Sequence, residues 1–242
     1  MHKKVSELTV KLFADGAQIS DMLDMYPNPN IKGFTTNPTL MQKAGVTDYV
    51  AYSKEILAAI PDRPISFEVF SDDFEEMYKQ AIEIASWGKN VYVKIPVTNT
   101  KGEPSRDLVE KLVQKNVNLN VTALFTVKQV EEVVSWLQGT QSSCISVFAG
   151  RVADTGRDPL PIMKHALEII KPYPEMELIW ASPRELLNIY QADEIGCHII
   201  TVTYDVLRKL DSVGKDLNQF SLETVKMFFD DATKAGFKIQ TS

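Results

Sequence analysis

In the run NVYVKIPVT, Asn90 to Thr98, a lysine stands among strand-forming residues: Tyr92, Val93, Ile95 and Val97, with Pro96 closing the run. An ammonium group in apolar surroundings is costly unless a carboxylate pairs with it or it gives up its proton. A deprotonated lysine attacks carbonyl carbon and forms a Schiff base. The protonated imine withdraws electrons, so a neighbouring C–C bond can break or form without a metal. Such chemistry also needs a group that moves a proton on the substrate hydroxyl, and a water for imine formation and hydrolysis. Two carboxylates lie in comparable runs, Asp15 in TVKLFAD and Glu68 in ISFEVF. An ion pair between Lys94 and either of them, with no reaction attached, is the structural alternative.

The second chemistry is cationic. AGRVADTGRD puts Arg151 just past one strand-like run, and ASPRE puts Ser182 and Arg184 just past another, where a helix is expected to open. A helix N-terminus with a serine and two arginines makes a phosphate site. Ordinary surface ion pairs are the alternative for both arginines, and Arg157 reads as a loop charge.

Eight β-rich runs could position these groups: residues 9–15, 31–37, 65–70, 91–97, 118–124, 144–150, 177–182 and 198–202. Amphipathic stretches separate them. In DDFEEMYKQAIEIASWG, Phe74, Met77, Tyr78, Ala81, Ile82 and Ala85 share one helical face, with Asp72 or Asp73 as N-cap and Gly88 as stop. Similar signals cover about 104–116, 126–138, 159–171, 183–195 and 221–236. Strands alternating with helices imply a parallel sheet. Eight units in this length suit a closed (β/α)8 barrel. With no linker or low-complexity tract, residues 1–242 read as one α/β domain, with an extra C-terminal helix over about 221–236.

Strand alternation then tests whether the polar residues meet. With Lys94 pointing into the barrel, Val91, Val93 and Ile95 point out toward the helices. The same parity sends Phe67 and Val69 out, and Ser66 and Glu68 in. It also turns Asn120, Thr122, Ser146 and Phe148 inward, and leaves Asp15 and Asn37 inward at the ends of the first two runs. Asp15, Asn37, Glu68, Lys94, Asn120, Thr122 and Ser146 thus line one interior from six strands, where branched apolar residues are the rule. That is the expected site.

Composition narrows the chemistry. The chain has 242 residues, 44% hydrophobic and 24% charged, with a net charge of −6. This balance argues against a nucleic-acid surface or a polybasic membrane anchor. An anionic substrate must therefore be held by a few placed cations. Cys144 and Cys197 form neither a disulfide framework nor a zinc site, and His2, His165 and His198 lack ligand spacing, so no metal is expected. No Gly-rich dinucleotide fingerprint is present, and no apolar run approaches membrane-spanning length. A cytoplasmic setting is the expectation.

The motifs GFTTNPTL, VYVKIPVT, NVTALFT, VFAGR and ASPRE occur in that order. On them the sequence resembles the transaldolase family, specifically the short transaldolase and fructose-6-phosphate aldolase branch of the class I aldolases. The likeness runs from about Leu12 to the C-terminal helix. It implies Lys94 as the Schiff-base lysine and Asp15 as the carboxylate that takes and returns the hydroxyl proton. It implies Glu68 and Thr122 as the pair that positions water, and Asn37, Asn120 and Ser146 as groups that orient substrate and imine. Arg151, Ser182 and Arg184 become the phosphate clamp. Within the branch, the aldolases carry Gln at position 68 and Tyr at 148, whereas transaldolases carry Glu and Phe, as here. The resemblance therefore implies transfer of a dihydroxyacetone unit between sugar phosphates of the pentose phosphate pathway, with no cofactor. Cleavage releasing free dihydroxyacetone and a silent sugar-phosphate-binding barrel are the rivals. ASPRE has Pro183 and Glu185 where many transaldolases have Phe and Asn, and FADG replaces Leu-Asp-Thr/Ser; no implied catalytic group is lost. The same likeness implies a homo-oligomer, pentamer or decamer through the C-terminal helix, or a dimer.

Overall fold

The computed structural model describes residues 3–241. Eight strands, rich in Val, Ile, Phe and Thr, pair in parallel in chain order and close into a barrel. They are β1 (Lys11–Asp15), β2 (Ile31–Thr35), β3 (Ile65–Glu68), β4 (Val91–Pro96), β5 (Leu119–Leu124), β6 (Ser143–Val147), β7 (Met176–Trp180) and β8 (Ile199–Thr203). The helices are α1 (Ile19–Met25), α2 (Pro38–Lys43), α3 (Tyr49–Ala59), α4 (Phe74–Ser86), α5 (Arg106–Val113), α6 (Val127–Trp136), α7 (Ala149–Ala153), α8 (Leu160–Ile170), α9 (Leu187–Glu194), α10 (Tyr204–Leu207) and α11 (Leu217–Lys234). This is the (β/α)8 barrel expected from the repeated pattern.

The outward parity set forms the main core. Phe67, Val93, Ile95, Val121, Ile145, Leu178 and Trp180 are fully buried beneath the helices. A smaller apolar cluster, Phe13, Cys144, Ile179, Ala181 and Ile199, packs with Tyr92 and Phe148 on the other strand face. Phe13 needs the glycine opposite it: a Cβ on Gly33 would lie 2.5 Å from the Phe13 ring. Register then aligns the charged residues. Glu68 pairs with Lys94, and Lys94 with Asn120, across three adjacent strands.

Several expected boundaries shift for local reasons. The sixth strand ends at Val147, and Ala149 and Gly150 already belong to α7. Asn37 is not in β2 but caps α2, its side-chain oxygen accepting the Leu40 N–H at 3.0 Å. Ser182 and Arg184 do not open a helix, because α9 begins only at Leu187. Asp73, not Asp72, caps α4 by accepting from Glu76, while Asp72 is taken by Thr100. On α4 the buried face is Met77, Ala81 and Ile84; Ile82 is exposed. The C-terminal helix runs from Leu217 to Lys234 instead of about 221–236, since Asp216 caps it by accepting from Gln219. None of its residues is buried. No helix among the described residues is long and apolar enough to cross a membrane.

The end of the barrel opposite the site is tied by Asp193 of α9. Its carboxylate accepts from the Thr9 and Val10 amides at 2.6 and 3.0 Å, from the Thr9 hydroxyl at 2.9 Å, and from Lys3. Burial works to raise its pKa, but the donors prevail and hold it at about 2, against an ordinary 3.8. Its contribution to stability is therefore complete above the ordinary value and lost as pH falls through the native one. Asp193→Asn should lower the unfolding free energy at neutral pH by about 2 kcal/mol, given hydrogen bonds to a buried charge. Urea denaturation at neutral pH and near pH 2 checks this; an equal deficit at both would contradict it.

Candidate active site

A cavity of about 80 Å³ opens at the C-terminal ends of the strands. Asp15, Thr35, Asn37, Lys94, Thr122, Ser146, Phe148, Arg151, Ala181, Ser182 and Thr201 line it. Asp15 also borders a larger, more apolar cavity of about 250 Å³ between α1, α2 and α10.

Lys94 is 6% exposed. Its Nζ lies 3.2 Å from Glu68 Oε2 and donates to the Thr36 carbonyl at 3.2 Å. The structural alternative, an ion pair with Glu68, is thus physically present. It leaves the lysine on the cavity wall, with two acceptors for three ammonium hydrogens. Glu68 is fixed through its backbone: Tyr49 of α3 accepts its N–H and donates to its carbonyl, each at 3.0 Å. Burial pushes the Tyr49 phenol upward, which keeps it a donor.

Asn120 is fully buried and fully oriented. Its amide donates to Ser66 at 3.0 Å, and its oxygen accepts from Ser146 at 2.7 Å. Thr122 differs: its hydroxyl is buried without a hydrogen-bond partner and belongs to a residue on the cavity wall. Immediately after it, Ala123 takes a left-handed conformation, φ 65°, where the β5–β6 register shifts. Such irregularities redirect side chains beside sites.

Asp15 accepts a hydrogen bond from Thr35 at 2.7 Å, and Thr35 is in turn in close contact with the Thr201 hydroxyl. Burial raises the Asp15 pKa; the Lys94 charge and the Thr35 hydroxyl oppose that without cancelling it.

The cations separate. Arg151 reaches the cavity, its guanidinium 5.3 Å from the Phe148 ring centroid. Arg184 stands outside the wall, its Nε donating to Asp154 at 2.8 Å and its Nη1 to Ser182 at 3.0 Å. For Arg184 the surface-ion-pair reading describes what is seen. Ser182 is left-handed, φ 60°, and its carbonyl would lie 1.6 Å from a Cβ on Gly150, so the glycine of VFAGR lets the two rim loops meet.

The structure therefore brings Asp15, Asn37, Lys94, Thr122, Ser146, Phe148, Arg151 and Ser182 onto one wall, with Glu68 and Asn120 packed directly behind. Sequence reasoning missed Thr35, Thr201 and Tyr49. Thr35 shares the parity of Asn37, so alternation along the second run could have found it; Thr201 joins them only through the pairing of β8 with β1.

The family model described as Transaldolase/Fructose-6-phosphate aldolase matches residues 12–242. The chain belongs to that family. A probable transaldolase of Dehalococcoides mccartyi is 36% identical over 202 residues, covering 83% of this chain and 90% of the relative. A probable transaldolase of a Thermoanaerobacter species is 36% identical over 231 residues, covering 95% of this chain and all of the relative. Among solved structures, a mandelate oxidase variant aligns with a TM-score of 0.57 at 12% identity, covering 88% of this chain and 74% of its own; it shows the fold alone.

The raised Asp15 pKa has a measurable consequence. Ionising this carboxyl costs more in the folded protein than in the unfolded chain, so its effect is a loss of stability as pH rises from the ordinary value of 3.8 through the native one. Asp15→Asn should therefore raise Tm at neutral pH and bring no gain below the ordinary value. A lower Tm at neutral pH would refute it.

Proposed function

We propose that the protein is a transaldolase acting through a Schiff base on Lys94. The observation that carries this reading is a buried lysine on the cavity wall, 3.2 Å from Glu68, with Asp15 on the same wall. Lys94 attacks C2 of a ketose phosphate, fructose 6-phosphate or sedoheptulose 7-phosphate. Water leaves the carbinolamine to give the protonated imine. Asp15 takes the proton of the C4 hydroxyl, the C3–C4 bond breaks toward the imine, and an aldose phosphate departs. The retained enamine then attacks erythrose 4-phosphate or glyceraldehyde 3-phosphate, Asp15 returns its proton, and water hydrolyses the new imine.

The unpartnered Thr122 hydroxyl, on the strand beside Lys94, supports a role with Glu68 in holding that water. Asn37, Asn120 and Ser146 supply hydrogen bonds for hydroxyls and the imine. Phe148 offers a ring without a hydroxyl, which favours an enamine kept for an acceptor over early protonation. Arg151, Ser182 and Arg184 are assigned to phosphate, with Arg184 exchanging part of its bond to Asp154 for the ligand. The buried free thiols Cys144 and Cys197 suit a reducing cytoplasm, and no cofactor is required. A homo-oligomer belongs to the same proposal, since α11 exposes Phe228 and Phe229 at 63% and 71%.

Borohydride trapping tests this directly. Fructose 6-phosphate followed by reductant should leave a dihydroxyacetone-derived mass increase on Lys94, and erythrose 4-phosphate added first should discharge it. Lys94→Ala should keep its fold and lose turnover by about 10⁴-fold or more. Discharge at equal speed without an acceptor would mean simple aldol cleavage; sugar-phosphate binding with no adduct would overturn the mechanism.

A further inference from the structure

Thr201 comes from the middle of β8, far in sequence from Asp15 and Thr35, and it is 5% exposed. Its hydroxyl contacts that of Thr35, itself 2% exposed, and Thr35 donates to Asp15 at 2.7 Å. The three side chains project inward from β8, β2 and β1, which are consecutive around the closed barrel. We infer that Thr201 is a positioning residue that acts through Thr35 to hold Asp15 ready in both of its protonation states.

The direction of the hydrogen bonds carries this inference. A hydroxyl has one hydrogen and two lone pairs. When Asp15 is ionised, the Thr35 hydrogen goes to the carboxylate, so the hydrogen between the two threonines must come from Thr201. When Asp15 has taken the substrate proton, the carboxyl can donate to Thr35, and Thr35 can turn its own hydrogen toward Thr201. A pair of hydroxyls reverses in this way without any heavy atom moving, whereas an amide or ammonium in the same place would favour one state only. The balance is simple: one proton moves from a substrate hydroxyl to Asp15 and returns, and the two threonines exchange donor and acceptor roles without losing their own hydrogens.

Other groups also act on Asp15. Lys94 faces it from β4, with Glu68 behind on β3. Asp21 of α1, Lys43 of α2, and Tyr204 and Asp205 of α10 share its outer cavity. Substitutions at Thr201 leave all of these in place, so their effect isolates the hydroxyl chain. Valine matches threonine in shape but can neither donate to Thr35 nor accept from it, and the loss falls more heavily on the ionised state, because a hydrogen bond to a charged acceptor is the stronger one.

This inference rests on the proposed Schiff-base mechanism, and its test separates the two. Thr201→Val, Thr201→Ser and wild type would be compared by borohydride trapping with fructose 6-phosphate and by the pH dependence of kcat and KM for transfer to erythrose 4-phosphate. Failure of wild type to trap would remove the mechanism itself. With trapping intact in all three, Thr201→Val should lower kcat about tenfold with little change in KM. The acid limb of its profile should move about half a unit to higher pH. Thr201→Ser, which restores the donor, should recover most of both. A valine variant with the wild-type profile, or a defect confined to KM, or one that serine does not rescue, would overturn the role assigned to Thr201.

Discussion

The barrel must hold a lysine side chain inside its wall, and most of the polar structure at its mouth follows from that requirement. In a medium of low dielectric an unpaired ammonium is far costlier than in water. The parallel register meets the cost by setting Glu68 and Asn120 on either side of Lys94, one strand away in each direction. Each neighbour is then fixed by a further group. Tyr49 grips the backbone of Glu68, Ser66 and Ser146 orient the Asn120 amide, and the carbonyl of Thr36 accepts from the lysine. A hydrogen-bonded row of this kind is rigid, and removing one partner leaves another buried group unsatisfied.

The hydrogen-bonded row is incomplete at the cavity wall. Thr122 has a buried hydroxyl with no partner, Asp15 carries a carboxyl whose ionisation burial disfavours, and Ala123 and Ser182 hold left-handed backbone conformations. Such features lower stability and are usual where a protein binds or transforms a ligand. They are offset elsewhere. The helix-facing core is closely filled, and away from the cavity Asp193 gathers the chain before β1 onto α9. Stability and chemistry thus occupy opposite ends of the same strands, as the barrel architecture allows.

The net charge of −6 does not conflict with an anionic ligand, because the cations that matter are local. Arg151 reaches the cavity, and Arg184 stands at its rim between Ser182 and Asp154. Gly150 permits the α7 and β7–α9 segments to touch, which is how two loops distant in sequence place their arginines at one rim. Asp154, held in ionised form by Arg184, partly neutralises that cation. The local field is therefore adjusted by one exposed carboxylate and is largely independent of overall composition.

The alternation of apolar and polar residues in NVYVKIPVT, ISFEVF and NLNVTAL was enough to assign inner and outer faces, because side chains in a strand alternate with period two whatever the fold. Eight such runs separated by amphipathic helices determined a closed parallel barrel, and hence that Asp15, Glu68, Lys94, Asn120, Thr122 and Ser146 would meet. Local sequence also narrowed the α4 cap to Asp72 or Asp73, between which the hold of Thr100 on Asp72 decided. It did not determine where β6 gives way to α7, the late start of α9, or which cation faces the cavity, since these depend on contacts between loops far apart in the chain. Only closure of the barrel set β8 beside β1 and brought Thr201 to Thr35 and Asp15, a hydrogen-bonded chain that joins residues more than a hundred and fifty positions apart. Hydrogen bonds between side chains are fixed by distances of a few tenths of an ångström, and those distances exist only after packing has selected one arrangement of the strands.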